Sequence, residues 1–307
     1  MATPDITITD IADLQSAYDT LSNGGGGTIA IAADDTPLRL MLRDGGGDDA
    51  VRIVSADPDA PTLLHQIDLV GVENVTVSGF RVDSTGVDRP DWYDDLRVSG
   101  GENITIENTV FTSNAEGRYD PAFEGAILGE TFADIRGTDG LTLSGNTVSN
   151  YFQGLTVRES TDVQISDNEF TQMQGDGIRL AGVQDVDVTG NHLHNFLGTT
   201  HSFNHNDFIQ VWSTNTTLTT KNLTISNNII DAGDGSGGQA IFIGNERAAQ
   251  GQDHRYENIE VSDNLIHTAS RHGITVASAD GVKIEDNTVL WNEAARIVVN
   301  PGEDGTS

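Results

Sequence analysis

The 307-residue chain has no cysteine. Disulfides, thiolate nucleophiles and Cys-ligated metals are therefore excluded. Aromatic residues make up only 6%, too few for a core built on large rings. Basic residues are also scarce: 14 Arg and two Lys face 47 acidic side chains, a formal net charge of −31. Such a molecule makes a poor partner for nucleic acid or an anionic membrane. No apolar run approaches the roughly 20 residues that span a bilayer. Met1 leads into Ala-Thr-Pro-Asp, so no cleavable signal peptide is visible.

What the sequence does have is a repeat. Val75–Phe80, Ile104–Asn108, Leu141–Asn146, Val163–Asn168, Val186–Asn191, Leu223–Asn228, Ile259–Asn264 and Val282–Asn287 follow one template. Successive copies end 22 or 23 residues apart at three steps and 28 at one, stretching to 36–38 at the three where a loop is inserted. Each alternates apolar and polar residues, then meets an Asn or Gly that tolerates a left-handed turn. A period of this size marks a solenoid. The predicted fold is an all-β, single-domain, right-handed parallel β-helix of about 8–10 coils. The repeated Asn is expected to stack on its neighbours and bond backbone, a structural role. The sequons at Asn74, Asn103 and Asn222 arise from the same template and carry no message about glycosylation.

Ahead of the first coil, Ile11–Leu21 has helical spacing, with Asp10 as N-cap and Gly24–Gly27 as the stop. A helix there would cover the open strand edge of the solenoid. The expected organisation is an N-terminal cap over 1–27 containing helix 11–21, the β-helix over 28–300, and a tail or linker over 301–307.

A second strand precedes each template, and its outward residues form columns. The middle column reads Asp68, Arg97, Asp134, Thr156, Arg179, Gln210, Phe242, Thr275 and Val298. The next carries Ser99, Arg136, Arg158, Ala181 and Trp212, and an edge column holds Asp176, Asp207 and His272. Loop insertions flank this face, before it around 84–94, 112–131, 195–205 and 231–238 and after it at 213–221 and 245–257. Inserts beside one sheet build the walls of a groove. Arg97, Arg136, Arg158 and Arg179 all project from this face, although the chain has few cations. Stacked like charges are unfavourable unless an anion intervenes. Either Asp134 and Glu159 neutralise them, or they bind the carboxylates of an acidic polymer through bidentate contacts.

His192, His194, His201 and His205 put half of the chain's eight histidines within fourteen residues, just before Asp207, Gln210 and Trp212. An outward Trp212 suits stacking on a sugar ring. The His and Asp clustering leaves a metal site open, although no fixed ligand spacing such as HExxH points to one. General acid–base work by one of these histidines is the preferred reading.

The capping helix, the GIxV strand followed by (N/D)VxIxxN, and the Arg/His-lined groove resemble the parallel β-helix polysaccharide-active families. These include pectate, alginate and chondroitin lyases and mannuronan C5-epimerases. His205–Trp212 looks like the active-site strand of the β-helix alginate lyases. There are departures. The variant using a Lys/Arg pair with calcium is disfavoured, because Lys221 and Lys283 do not lie on the groove face. Tyr119-Asp120-Pro121-Ala122-Phe123-Glu124 lacks the His of the epimerases' Asp-Pro-His-Glu motif. The polygalacturonase-like hydrolases need Gly-His-Gly and Arg-x-Lys elements, and here only Arg271-His272-Gly273 comes near.

The resemblance implies a polysaccharide lyase that cleaves an acidic uronic-acid polymer, alginate first, by β-elimination. A C5-epimerase or polyuronate hydrolase is the alternative, and a noncatalytic polysaccharide-binding solenoid the second. Arg179 with Gln210 is expected to neutralise the carboxylate, His205 to take the proton, and Tyr119 or Tyr151 to serve as acid. Arg97, Arg136, Arg158, Asp134, Asp176, Asp207, His201, Trp212, Phe242 and His272 are the expected binding residues. No cofactor is required; calcium is conceivable at acidic segments such as Asp44–Asp49. The chain is expected to act as a secreted monomer.

Overall fold

The computed structural model describes residues 3–32, 38–85, 93–113, 131–196, 206–232, 238–268, 270 and 272–290, and the backbone of 296–300. Its strands stack as a parallel β-helix whose coils present three sheets. The groove sheet runs from Leu38–Gly45 through the first half of Leu63–Ser78 and then Leu96–Ser99, Thr131–Arg136 and Gln153–Arg158. It continues as Ile178–Ala181, Asp207–Trp212, Gln239–Ile243, His272–Ala277 and Arg296–Asn300. The second sheet holds the repeat template. It starts earlier than the repeat indicates, because Ile6–Ile8 pairs with Gly27–Ile31, which pairs with Val51–Ser55.

The third sheet was not foreseen. It stacks three-residue strands: Arg81–Asp83, Val110–Thr112, Thr147–Ser149, Glu169–Thr171, His192–His194, Ile229–Asp231, Leu265–His267 and Thr288–Leu290. Each sends one apolar residue inward, such as Phe111, Phe170 or Leu193, all buried. Period-two alternation has no length to declare itself over three residues.

Between the sheets lies a narrow core of Ile, Val and Leu. The few aromatics concentrate inside it: Phe132 packs against Phe111, Tyr151 and Phe170, with ring centroids 4.7, 5.6 and 6.3 Å away. Phe196 stacks on Phe208 at 4.2 Å. Gly177 makes room there, since a Cβ on it would come within 2.8 Å of the Phe196 ring.

The repeated Asn behaves as expected, with one correction. Asn146, Asn168, Asn191, Asn228 and Asn264 each donate their backbone N–H to the side-chain oxygen of the Asn one coil on, at 2.9–3.0 Å, ending on Asn287. Their amide nitrogens also bond carbonyls such as Leu143 O and Ile165 O. The left-handed residue, however, is the one before: Gly145, Asp167, Gly190, Asn227, Asp263 and Asp286 have φ between 53° and 69°. The small or Asx residue turns the corner, which frees the next Asn to aim its amide along the axis.

At the N-terminal end, Asp10 accepts from Ala12 N at 2.9 Å, one 3₁₀ turn follows, and the α-helix runs Leu14–Ser22. Buried Tyr18 ties the helix to the first coils by donating to Gly45 O (2.9 Å) and Glu73 O (2.7 Å). Asp49, in the acidic segment considered for calcium, accepts the Gly25 N–H at 2.8 Å.

Candidate functional site

Strand register brings the expected columns together. Asp68, Arg97, Asp134, Thr156, Arg179, Gln210, Phe242 and Thr275 are consecutive partners across the groove sheet, and Val298 follows by register. Beside them run Ser99, Arg136, Arg158, Ala181 and Trp212. In the edge column the Asp207 N–H donates to Asp176 Oδ1 at 2.9 Å. Asp207 pairs with Gln239, whose side chain meets His272 Nδ1 at 3.0 Å.

The outward columns are less open than the strand pattern suggests. Asp68, Thr156, Asp176, Asp207, Gln210 and Thr275 are all buried, and arginines reach Asp68 and Asp176. Asp68 is 0% exposed beneath Arg39 and Arg43, and Arg97 stands 3.8 Å off. Asp134 pairs with both Arg136 and Arg158. Its hydrogen bond holds Arg136 above the ordinary arginine pKa. Internal carboxylates thus resolve the stacking of Arg136 on Arg158. Glu159 takes no part; it turns away to accept from Thr217 N (2.8 Å) and Leu218 N (3.1 Å).

Arg179 is placed differently. Its side chain is 27% exposed, its Nε lies 3.3 Å from Asp176 Oδ2, and its guanidinium sits 4.8 Å over the Trp212 ring. Burial, with Arg158 nearby, pushes its pKa below the usual arginine value. The Nε atoms of Arg158 and Arg179 are buried without hydrogen-bond partners among the described residues. A cation held this dry attracts an incoming anion more strongly than one in water. Gln210, the next residue along, donates to Asp207 Oδ2 at 3.0 Å.

One wall of the groove is rigid. Ser213 donates to Asn245 Oδ1 (3.0 Å) and its N–H to Glu246 Oε2 (2.8 Å), while Arg247 bonds Thr216 O at 2.6 Å. Asn245 reaches His254 O at 2.7 Å, and Tyr256 bonds Gly244 O at 2.8 Å. The loops after the groove strands therefore brace each other beside Trp212.

Some expected residues are not brought into the groove. Tyr151 is 0% exposed, with its hydroxyl 2.5 Å from buried Asp95 Oδ2, so this phenol is a core group rather than a groove-facing acid. His192 and His194 lie on the third sheet, away from the Arg columns. Tyr119, His201 and His205 lie outside the described residues. Conversely, Arg39, Arg43, Gln66 and Tyr93 were missed. With Asp68, Arg97 and Arg136, most of them line a cleft of about 540 Å³. The alternation Arg39-Leu40-Met41-Leu42-Arg43 was the available signal, one rung before the first strand recognised.

Comparison with solved structures gives matches along almost the whole chain at low identity. An alginate lyase from Paenibacillus sp. is 12% identical, with TM-score 0.56 over 96% of this chain and 99% of that one. PfbA, a surface adhesin of Streptococcus pneumoniae, is 15% identical with TM-score 0.54, over 95% and 86%. DFA-IIIase from Arthrobacter chlorophenolicus is 11% identical with TM-score 0.51, over 98% and 91%. No curated protein matches the sequence. At such identities these likenesses speak for the fold. Residues 133–302, more than half of the chain, match the family model described as the right handed beta helix region, and the protein belongs to the right-handed β-helix family.

Proposed function

We propose that the groove binds an acidic uronic-acid polymer and that the protein cleaves it by β-elimination, with alginate as the substrate. The observation that carries this reading is Arg179: a largely desolvated guanidinium, backed by Trp212, between Thr156 and Gln210 in its column and with Arg158 in the adjoining column of the preceding rung. β-Elimination removes the proton at C5, next to the carboxylate, and the electron pair expels the oxygen at C4. Arg179 neutralises the carboxylate and so stabilises the charge that develops as the proton leaves. Trp212 offers a face to the sugar ring, and Arg97, half exposed with a loose 3.8 Å ion pair, takes the carboxylate of a neighbouring sugar. His205 as base and Tyr119 as acid complete the scheme. The alginate lyase that shares the fold supports a substrate of this class.

Hydrolysis by Asp176 and Asp207 is less well supported. Glycoside hydrolysis uses carboxyls that flank the scissile bond. These two are buried side by side on adjacent rungs, one accepting the other's backbone N–H.

The test is incubation with polymannuronate, polyguluronate, pectate and hyaluronan, with and without calcium, following ultraviolet absorbance of the new C4–C5 double bond. A rise on one polymer is the expected result. Proton exchange at C5 without absorbance would establish an epimerase, new reducing ends alone a hydrolase, and binding without reaction a recognition module.

A further inference from the structure

On the third sheet, away from the groove, Glu169, His192 and His194 bring three donor atoms within 4.8 Å of one another. We propose that they form a binding site for a first-row divalent transition metal, with zinc as the ion of choice, which clips two neighbouring coils together.

The local structure supplies the geometry. In His192-Leu193-His194 the strand sends Leu193 into the core, so the two imidazoles emerge on the same face. Glu169 is the register partner of His192 on the preceding coil. The carboxylate therefore stands beside both rings although it lies more than twenty residues away in sequence. The rings are stacked, with centroids 4.1 Å apart and planes at 22°, and His194 Nε2 is 2.9 Å from Glu169 Oε1. Metal–ligand bonds of about 2.0–2.2 Å place tetrahedral donors roughly 3.3 Å apart. Small side-chain rotations thus convert the observed cluster into three ligands, leaving an outward position for water.

The surroundings fit the same reading. Asn195 Nδ2 lies 2.8 Å from His194 Nδ1. Turning that amide over presents its oxygen to an Nδ1–H, which fixes the tautomer that leaves Nε2 free to ligate. The next residue in the column, Asp231, is engaged by His267 Nδ1 at 2.9 Å, so a second imidazole–carboxylate pair borders the site. Two imidazoles and one carboxylate favour zinc, copper, nickel or cobalt over calcium or magnesium, which take oxygen cages. Because Glu169 and the histidines belong to successive coils, an ion here resists their separation. It stabilises the folded chain by mass action.

The full chain, stripped with EDTA and dialysed, is titrated with zinc in competition with a chromophoric chelator, and separately with cobalt to read the visible d–d bands. The expected result is one tight zinc per chain, d–d bands of a low-coordinate cobalt site, and a melting midpoint raised by zinc. His192→Ala and His194→Ala should each weaken zinc binding by more than about 10-fold and remove the bands. His267→Ala should leave both unchanged. Melting of each variant in EDTA shows that the fold persists. Zinc binding equally tight in the His192→Ala/His194→Ala double variant overturns the proposal, as does displacement of zinc by an equal concentration of calcium. Absence of tight binding in the wild-type chain overturns it too. None of these readouts depends on polysaccharide activity, so the proposal stands or falls apart from the lyase reading.

Discussion

The corner that carries the Asn ladder and the sheet that carries the arginines are both polar, and both repeat their chemistry coil after coil. They treat polar groups in opposite ways. At the corner, each amide donates and accepts inside the chain, with bonds of 2.9–3.0 Å and hardly any exposure. No valence is left for a ligand, and no insertion interrupts the two-residue turn between the second and third sheets. On the groove sheet, carboxylates satisfy some arginines while Arg97 and Arg179 keep long or incomplete ion pairs. Closed bonding makes a scaffold, and incomplete bonding makes a site. The same residue chemistry on one solenoid serves either purpose, depending on whether the next coil supplies a partner.

Substitutions can break that contrast, and the largest effect should come from Arg179→Ala. Its turnover of the cleaved uronan should fall on the order of 100-fold or more while the fold persists. A large loss of stability with normal turnover would make Arg179 a scaffold residue like the asparagines. Asn191→Ala should show the reverse. It strips an acceptor from the Asn168 N–H and a donor from Ile165 O, both buried, and should lower stability by about 2–3 kcal/mol in urea unfolding. Between these extremes lies Asp68→Asn. It removes the shared charge under Arg39 and Arg43, but these arginines remain about one-third exposed. The expected loss is therefore about 1–2 kcal/mol, less than for a fully enclosed pair, and it should shrink further in high salt.

The smallest effect is a pH dependence in the groove wall. Burial, with Arg247 nearby, depresses the pKa of His254. The unfolded chain then binds the proton more readily than the folded one. The stabilising contribution is complete above the unfolded value near 6.5 and declines as the pH falls toward the folded value. His254→Gln should flatten this part of the melting profile between about pH 7 and pH 5. An unchanged slope would place the titration elsewhere.

Much of this arrangement was legible in the sequence, for a physical reason. Stacked parallel strands in register turn sequence period into spatial column, so Asp68 through Thr275 could be aligned by their inward apolar neighbours alone. What escaped notice depended on side-chain reach. Nothing in the spacing says that Arg39 and Arg43 fold over Asp68, or that Tyr151 turns inward to Asp95. The third sheet escaped because its strands contain a single inward residue. With it went the true position of His192 and His194, which proximity in the sequence groups with His201 and His205.

The ladder also bears on how such a molecule changes over time. Its first member is not an asparagine: Thr109 holds the place, donating its N–H to Asn146 Oδ1 at 3.1 Å and accepting the Phe80 N–H on its hydroxyl at 3.4 Å. A different side chain can therefore keep the ladder continuous where the coils begin to vary. Each coil meets only its two neighbours and hands on the same hydrogen bond, so one whole turn can be duplicated or lost without redesigning the rest. Groove length is then a quantity that gene duplication can adjust in steps of one strand spacing.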